Sequence, residues 1–250
     1  INSADKKQFK EQVNIFSLNL DFEKSYDEKS YFSYGIEYLN NKVNSTASLS
    51  NISNGSFSSI ATRYPDDSTW ESLASYLTYK YKSSKDLIFH YGLRYSHIII
   101  NADLSANNSF HNFPFSNANL NTGALTGALG LSWIQNDTFQ WKFNLTTAFR
   151  APNIDDIGKI FDSAPGIVVV PNPDLKPEKS FGLELGSLIS VNSKINFDFA
   201  VYYTHLYNSM IRSPFSMRVD SDDPSGSSII NQIIYDGELS LSLIHISEPT

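Results

Sequence analysis

Five histidines are the side chains best suited to move a proton or hold a metal near neutral pH: His90, His97, His111, His205 and His245. None sits in a recognisable nucleophile motif. A hydrolytic site needs a base and its orienting partner close to a nucleophile or activated water, so no catalytic residue is assigned. His90 falls on a polar alternation and could be a ligand, but a hydrogen-bonded structural histidine is the favoured reading. Cysteine is absent, which removes disulfides and thiolate metal sites. Asp66, Asp67, Asp220, Asp222 and Asp223 make two segments acidic. They would favour a cationic or metal-bearing ligand, although solvated surface charge accounts for them more simply. No metal site and no cofactor are assigned.

The elements that would position such groups are strands. No apolar stretch approaches the ~18 residues that a membrane helix requires, so a helical membrane protein is excluded. Charged residues are 18% of the chain, below the roughly 25% usual for soluble domains, and aromatics reach 14%. The net charge of −7 argues against nucleic acid as a partner.

Phe16, Leu18, Leu20 and Phe22 alternate with Ser17, Asn19, Asp21 and Glu23. After residues 25–28 the period of two resumes with Phe32, Tyr34, Ile36 and Tyr38. Three more hairpins follow, turning at residues 83–86, 135–138 and 191–194, and a ninth strand is expected near Ile229. Each apolar stripe covers about 9 to 12 residues, the length that crosses a bilayer as a tilted strand. Short polar turns alternate with long segments at residues 44–68, 101–120, 151–178 and 207–228, as in bacterial outer-membrane barrels. Aromatics gather beside the short turns: Phe22, Tyr26, Tyr31, Tyr79, Tyr81, Trp133, Phe139 and Trp141. There they would form an interfacial girdle. The other face carries Glu37, His90, Arg94, Lys142, Asn144, Arg150, Glu184 and Asp198, charges suited to a hydrated lumen. The expected fold is all-β: an antiparallel transmembrane β-barrel, present as an incomplete wall of eight to nine strands that does not close.

Phe149, Arg150, Ala151 and Pro152 form an FRAP segment at a strand end. Asn172, Pro173, Leu175, Lys176, Pro177 and Glu178 form an NPxLKPE segment before the next strand, with Asp174 where Asn is commoner. This pairing resembles the barrel of TonB-dependent receptors. Residues 208–215 and 235–240 look similar to the same family, particularly its Bacteroidetes-like members. The resemblance implies an intact protein of about twenty-two strands with an N-terminal plug, of which this stretch would hold fewer than half the strands and none of the plug. It implies a location in the outer membrane of a Gram-negative-type bacterium. The implied partners are the TonB complex, acting through an absent N-terminal region, outer-membrane lipid and a small nutrient ligand. Physics gives the motif a structural role: Pro152 lacks the N–H that would continue the ladder, and Pro171, Pro173 and Pro177 bias the preceding residues to extended backbone. Direct ligand contact by Arg150 or Lys176 is the rival.

Four other functions stand beside this one. They are a barrel enzyme, a haem receptor, a carbohydrate-binding β domain and a passive porin. Residues 153–171 hold no histidine, which argues against the haem variant. Strands this long and turns so asymmetric argue against the carbohydrate-binding domain, and only the motif separates receptor from porin.

The two ends carry their own expectations. The chain starts at Ile1 without a signal-peptide pattern, consistent with processing or with an internal fragment. Residues 1–240 read as part of the receptor barrel. Residues 241–250, Leu-Ser-Leu-Ile-His-Ile-Ser-Glu-Pro-Thr, are what CTG TCT CTT ATA CAC ATC TCC GAG CCC ACG would encode. That string resembles a transposon-type sequencing-library adaptor, so these residues are expected to be a translation artefact.

Overall fold

The computed structural model describes residues 5–111, 113–164, 167–192, 195–218, 227–235 and 238–247. Its strands in chain order are β1 (Asp5–Ser25), β2 (Ser30–Asn51), β3 (Phe57–Ser59), β4 (Ser68–Lys82), β5 (Leu87–Asn101), β6 (Leu120–Ile134) and β7 (Phe139–Arg150). Then come β8 (Phe161–Ala164), β9 (Ile167–Val170), β10 (Glu178–Asn192), β11 (Ile195–Tyr207), β12 (Met210–Arg218), β13 (Ser227–Tyr235) and β14 (Glu238–Ser247). Two short helices, α1 (Ser105–His111) and α2 (Ile154–Ile157), lie in the long connections.

Among the described residues nine strands form one antiparallel wall in the order β1-β2-β4-β5-β6-β7-β10-β11-β14, with β3 paired to β2. The sheet is open: β1 and β14 are its two ends. Unclosed edges present unpaired N–H and C=O groups.

Register places the two faces. Opposed residues in an antiparallel pair share a face. Phe32 opposes Tyr79, Tyr79 opposes Tyr91, Tyr91 opposes Leu129, Leu145 follows, and Leu183 and Tyr203 complete the row. The eight residues Phe16, Leu18, Leu77, Tyr91, Leu129, Phe143, Leu183 and Phe199 all fall on this face, and all are exposed. Lys80, His90, Gly130, Asn144, Glu184 and Tyr202 make a row on the opposite face. Lys142, one pleat further on, also lies there. Exposed apolar side chains of this number on one side of a wall need an apolar solvent. Lipid supplies it.

The girdle is physical contact. Phe22 stacks on Tyr34 at 5.4 Å, Phe32 on Tyr79 at 4.5 Å, Tyr79 on Tyr91 at 6.0 Å, and Phe139 on Trp141 at 6.4 Å. Tyr31 is different. It opposes Lys80 and takes Lys82 over its ring at 5.0 Å, so it faces the lumen rather than joining the girdle.

Two further expectations are corrected. β1 and β2 run to 21 and 22 residues, so the first long connection starts after Asn51 rather than at Asn44. Beyond the bilayer a strand needs no apolar stripe, and the ladder continues through polar sequence. The ninth wall strand is β14, not the segment from Ile229. Ile229, Ile230, Ile233 and Ile234 come as adjacent pairs, without the one-sided alternation of a wall strand. Their segment instead belongs to a four-stranded sheet, β12-β13-β9-β8.

Candidate functional site

The long connections emerge together at one end of the wall. They comprise L1 (residues 52–67), L2 (102–119), L3 (151–177) and L4 (208–237). Near that end the lumen-facing residues turn apolar. Val43, Ile98 and Ile100 are buried, and the connections bring Ala102, Leu104, Phe113, Ala118, Ile154, Ile157, Ile160, Val170 and Leu175 against them. Tyr64, Trp70, Leu120 and Phe149 pack around this cluster. Sequence reasoning missed it, but one signal was present. Ile98, Ile99 and Ile100 break the alternation, as happens where both faces of a strand are covered.

Polar bonds tie the connections to one another. Thr62 Oγ1 lies 2.9 Å from Asn107 Oδ1, and Asn107 Nδ2 donates to Thr62 O at 3.2 Å, joining L1 to L2. Tyr64 Oη donates to Asp155 Oδ1 at 2.6 Å, and the Ile160 N–H to Arg63 O at 2.8 Å, joining L1 to L3. Burial, together with the hydrogen bond to the Asp155 carboxylate, pushes the Tyr64 hydroxyl well above the usual tyrosine range.

The FRAP and NPxLKPE residues meet here. Register sets Arg150 opposite Glu178, because β7 ends where β10 begins. Arg150 Nη1 donates to Glu178 Oε2 at 2.9 Å and Nη2 to Asp156 Oδ2 at 2.7 Å. Asp156 is the third residue of α2, and its carboxylate also accepts from the Asn153 N–H while Asn153 Oδ1 accepts from the Asp156 N–H. That reciprocal pair caps the helix. Pro152 and Pro171 are fully buried, and Trp70 Nε1 donates to Pro152 O at 3.4 Å. Ala151 packs on the apolar cluster and Leu175 lies within it. Asn172 Oδ1 accepts from the Asp174 N–H at 3.0 Å, which sets the turn through Pro173. Pro177 O accepts from Asn208 Nδ2 at 3.4 Å, and Lys176 is exposed.

The acidic residues of L1 are engaged within the protein. Asp66 Oδ1 accepts from the Ser45 N–H at 2.8 Å. Asp67, in left-handed backbone at φ 62°, pairs with Lys42 Nζ at 2.6 Å, and that ammonium holds its carboxyl below the usual range. Asp220, Asp222 and Asp223 lie outside the described residues. Among the described residues no group of three or more His, Asp or Glu could hold a metal ion. His90 faces the lumen, His111 stacks on Phe113 at 5.3 Å, and His97 and His205 lie on the outer face. The His245 side chain is outside the described residues.

A cleft of about 510 Å³ opens under L1 and α2 on the lumen side, lined by Val13, Leu39, Trp70, Tyr64 and Ile154 with Glu11, Arg63 and Asp155 at its polar margin. A second depression of about 420 Å³ sits lower on the lumen face, beside Glu37, Tyr76 and Arg94. Chemically, the loop end offers aromatic and apolar contact with a few polar groups.

The comparisons agree with this geometry. The chain aligns with the copper transporter OprC at a TM-score of 0.69 and 14% identity, over 94% of this chain and 34% of that one. It aligns equally with the Serratia marcescens hemophore receptor HasR, solved with HasA and heme, at 0.69 and 14%, over 95% and 39%. The siderophore receptor PirA from Acinetobacter baumannii gives 0.61 and 13%, over 94% and 34%. The chain thus spans about a third of these receptors' length, and identities this low carry the fold rather than source or cargo. No curated protein matches. The family described as TonB dependent receptor-like, beta-barrel matches residues 2–233. Its members are outer-membrane transporters rather than enzymes, and this chain belongs to that family.

Proposed function

We propose that the chain is part of the wall of an outer-membrane active-transport receptor, which binds a scarce nutrient and imports it with energy supplied through TonB. The nutrient is of siderophore, metal-complex, glycan or vitamin type. The observation that carries this reading is the family match over a wall with an apolar outer face, a polar lumen face and every long connection at one end. Loops on a rigid scaffold at one end are where selectivity is built. A haem-type receptor is the second reading, but L3 has no histidine to serve as an axial ligand.

The test uses the full-length gene. Uptake of radiolabelled ferric siderophores, cobalamin, haem and labelled oligosaccharides is compared in cells with and without TonB. Active import predicts accumulation of one class that is lost without TonB. Uptake that persists unchanged without TonB makes the protein a passive porin.

A further inference from the structure

Glu178 bonds in two directions. Its Oε2 takes Arg150 Nη1 at 2.9 Å, and its Oε1 accepts the Met210 backbone N–H at 2.7 Å. Met210 opens β12, the first strand of L4, whereas Arg150 grips Asp156 in α2 of L3. One carboxylate at the start of a wall strand therefore touches the bases of two different connections. A second link lies farther out, where β13 pairs in parallel with β9 through Asn231 with Val169 and Gln232 with Val170. A third is the donation from Asn208 Nδ2 to Pro177 O.

We propose that Glu178 is a positioning residue that yokes L3 and L4 into a single external body, with Arg150 as the arm that reaches L3. The Glu178 side chain is only 15% exposed, and so is well placed to keep both bonds in competition with water. Loosening the outer β9–β13 pairing would not free L4 while the Met210 N–H stays bonded. Loosening Glu178 frees both connections at their roots. This inference rests on the receptor reading only in taking L3 and L4 as ligand-facing. The coupling itself is measured without any ligand, so it can fail while import stands.

The experiment places pairs of nitroxide labels in the full receptor, in a cysteine-free background, and reads distance distributions by pulsed electron resonance. One label replaces Tyr26 in a short turn as the wall reference; the other replaces Asp174 in L3 or Ile211 in L4. Unsubstituted at Arg150 and Glu178, both distributions should be narrow. Arg150→Met should broaden the 26–174 distribution at least twofold and leave 26–211 unchanged, because the Met210 N–H stays on Glu178 at 2.7 Å and only the long 3.9 Å contact from Arg150 Nη1 to Met210 Sδ is lost. Glu178→Ala should broaden both. Glu178→Gln keeps an acceptor for the Met210 N–H and loses the charge that steadies Arg150, which still holds Asp156, so it should broaden 26–174 less than Arg150→Met does and leave 26–211 unchanged; it also serves if the alanine variant does not assemble. Broadening of both distances together by Arg150→Met would reflect general loosening and overturn the yoke. So would a 26–211 distance that stays narrow in Glu178→Ala, or one that broadens in Glu178→Gln.

Discussion

Arg94 on β5 reaches across β4 to donate through Nη2 to the Glu37 carboxylate on β2. The pair exists only because register sets both side chains on the lumen face. On the lipid face the arginine alone would cost about 2–4 kcal/mol at the bilayer midplane, and the glutamate somewhat less. Both are more than a third exposed, so solvent screens their attraction. A double-mutant cycle with Arg94→Met and Glu37→Gln in the intact receptor should return a coupling of about 0.5–1 kcal/mol. Denaturant unfolding in vesicles measures it. A coupling near zero would contradict a stabilising ion pair on the lumen face.

The connections should behave as a packed unit. Ile157 is fully buried where L3 meets the lumen-facing residues of the wall. Ile157→Ala leaves a cavity and should weaken docking of the connections by about 2–5 kcal/mol. Hydrogen exchange should then rise in residues 102–119 and 154–160 while β5 to β7 stay protected. Exchange that rises evenly through the wall would contradict a separable unit.

Alkaline pH should release L1 from L3. The Tyr64 ionisation is raised, chiefly by burial and then by its bond to Asp155, so the neutral phenol favours the docked state. That contribution is complete below the ordinary tyrosine value near 10 and is lost as pH climbs from there through the raised value. Trp70 emission, with other tryptophans replaced, reports the change because Trp70 packs on the same cluster. Tyr64→Phe should remove the alkaline transition. If the transition remains in Tyr64→Phe, another group causes it.

Much of this was legible in the sequence because one physical rule governs the wall. Lipid on one side and water on the other force a period of two, and Leu18, Leu77, Leu129 and Leu183 obey it. The connections obey no such rule. Asn107 and Thr62 are 45 residues apart, Tyr64 and Asp155 are 91, and no local spacing announces either contact. Tyr31 was misassigned because a turn-adjacent aromatic suits a girdle by type. Parity, which decides the face, sets it with Lys80 in the lumen. The FRAP and NPxLKPE segments were visible as motifs, but the meeting of Arg150, Asp156 and Glu178 depends on where β7 and β10 pair.

The last ten residues are proposed to be foreign to the gene. β14 runs through residues 241–247, with Glu238 opposite Tyr207 and Ser247 opposite Asp198. Pairing of this kind uses backbone groups, which any extended chain can offer to an open edge. The strand is therefore compatible with a tail of any origin. Long-read sequencing of the source DNA should find different codons after residue 240. In-frame codons for residues 241–250, followed by a natural stop, would refute the proposal.

Strands that cross a membrane as a barrel wall have lipid on one side and water on the other. A nitroxide scan along β6, residues 121–134, in the intact receptor in vesicles tests this most directly. Collision with oxygen, which partitions into lipid, should peak at Leu125, Leu129, Leu131 and Trp133. Collision with a water-soluble nickel chelate should peak at Ala124, Thr126, Ala128 and Ser132, with the two profiles half a period out of phase. Equal chelate access at Leu129 and Ala128, or profiles without a period of two, would contradict the account.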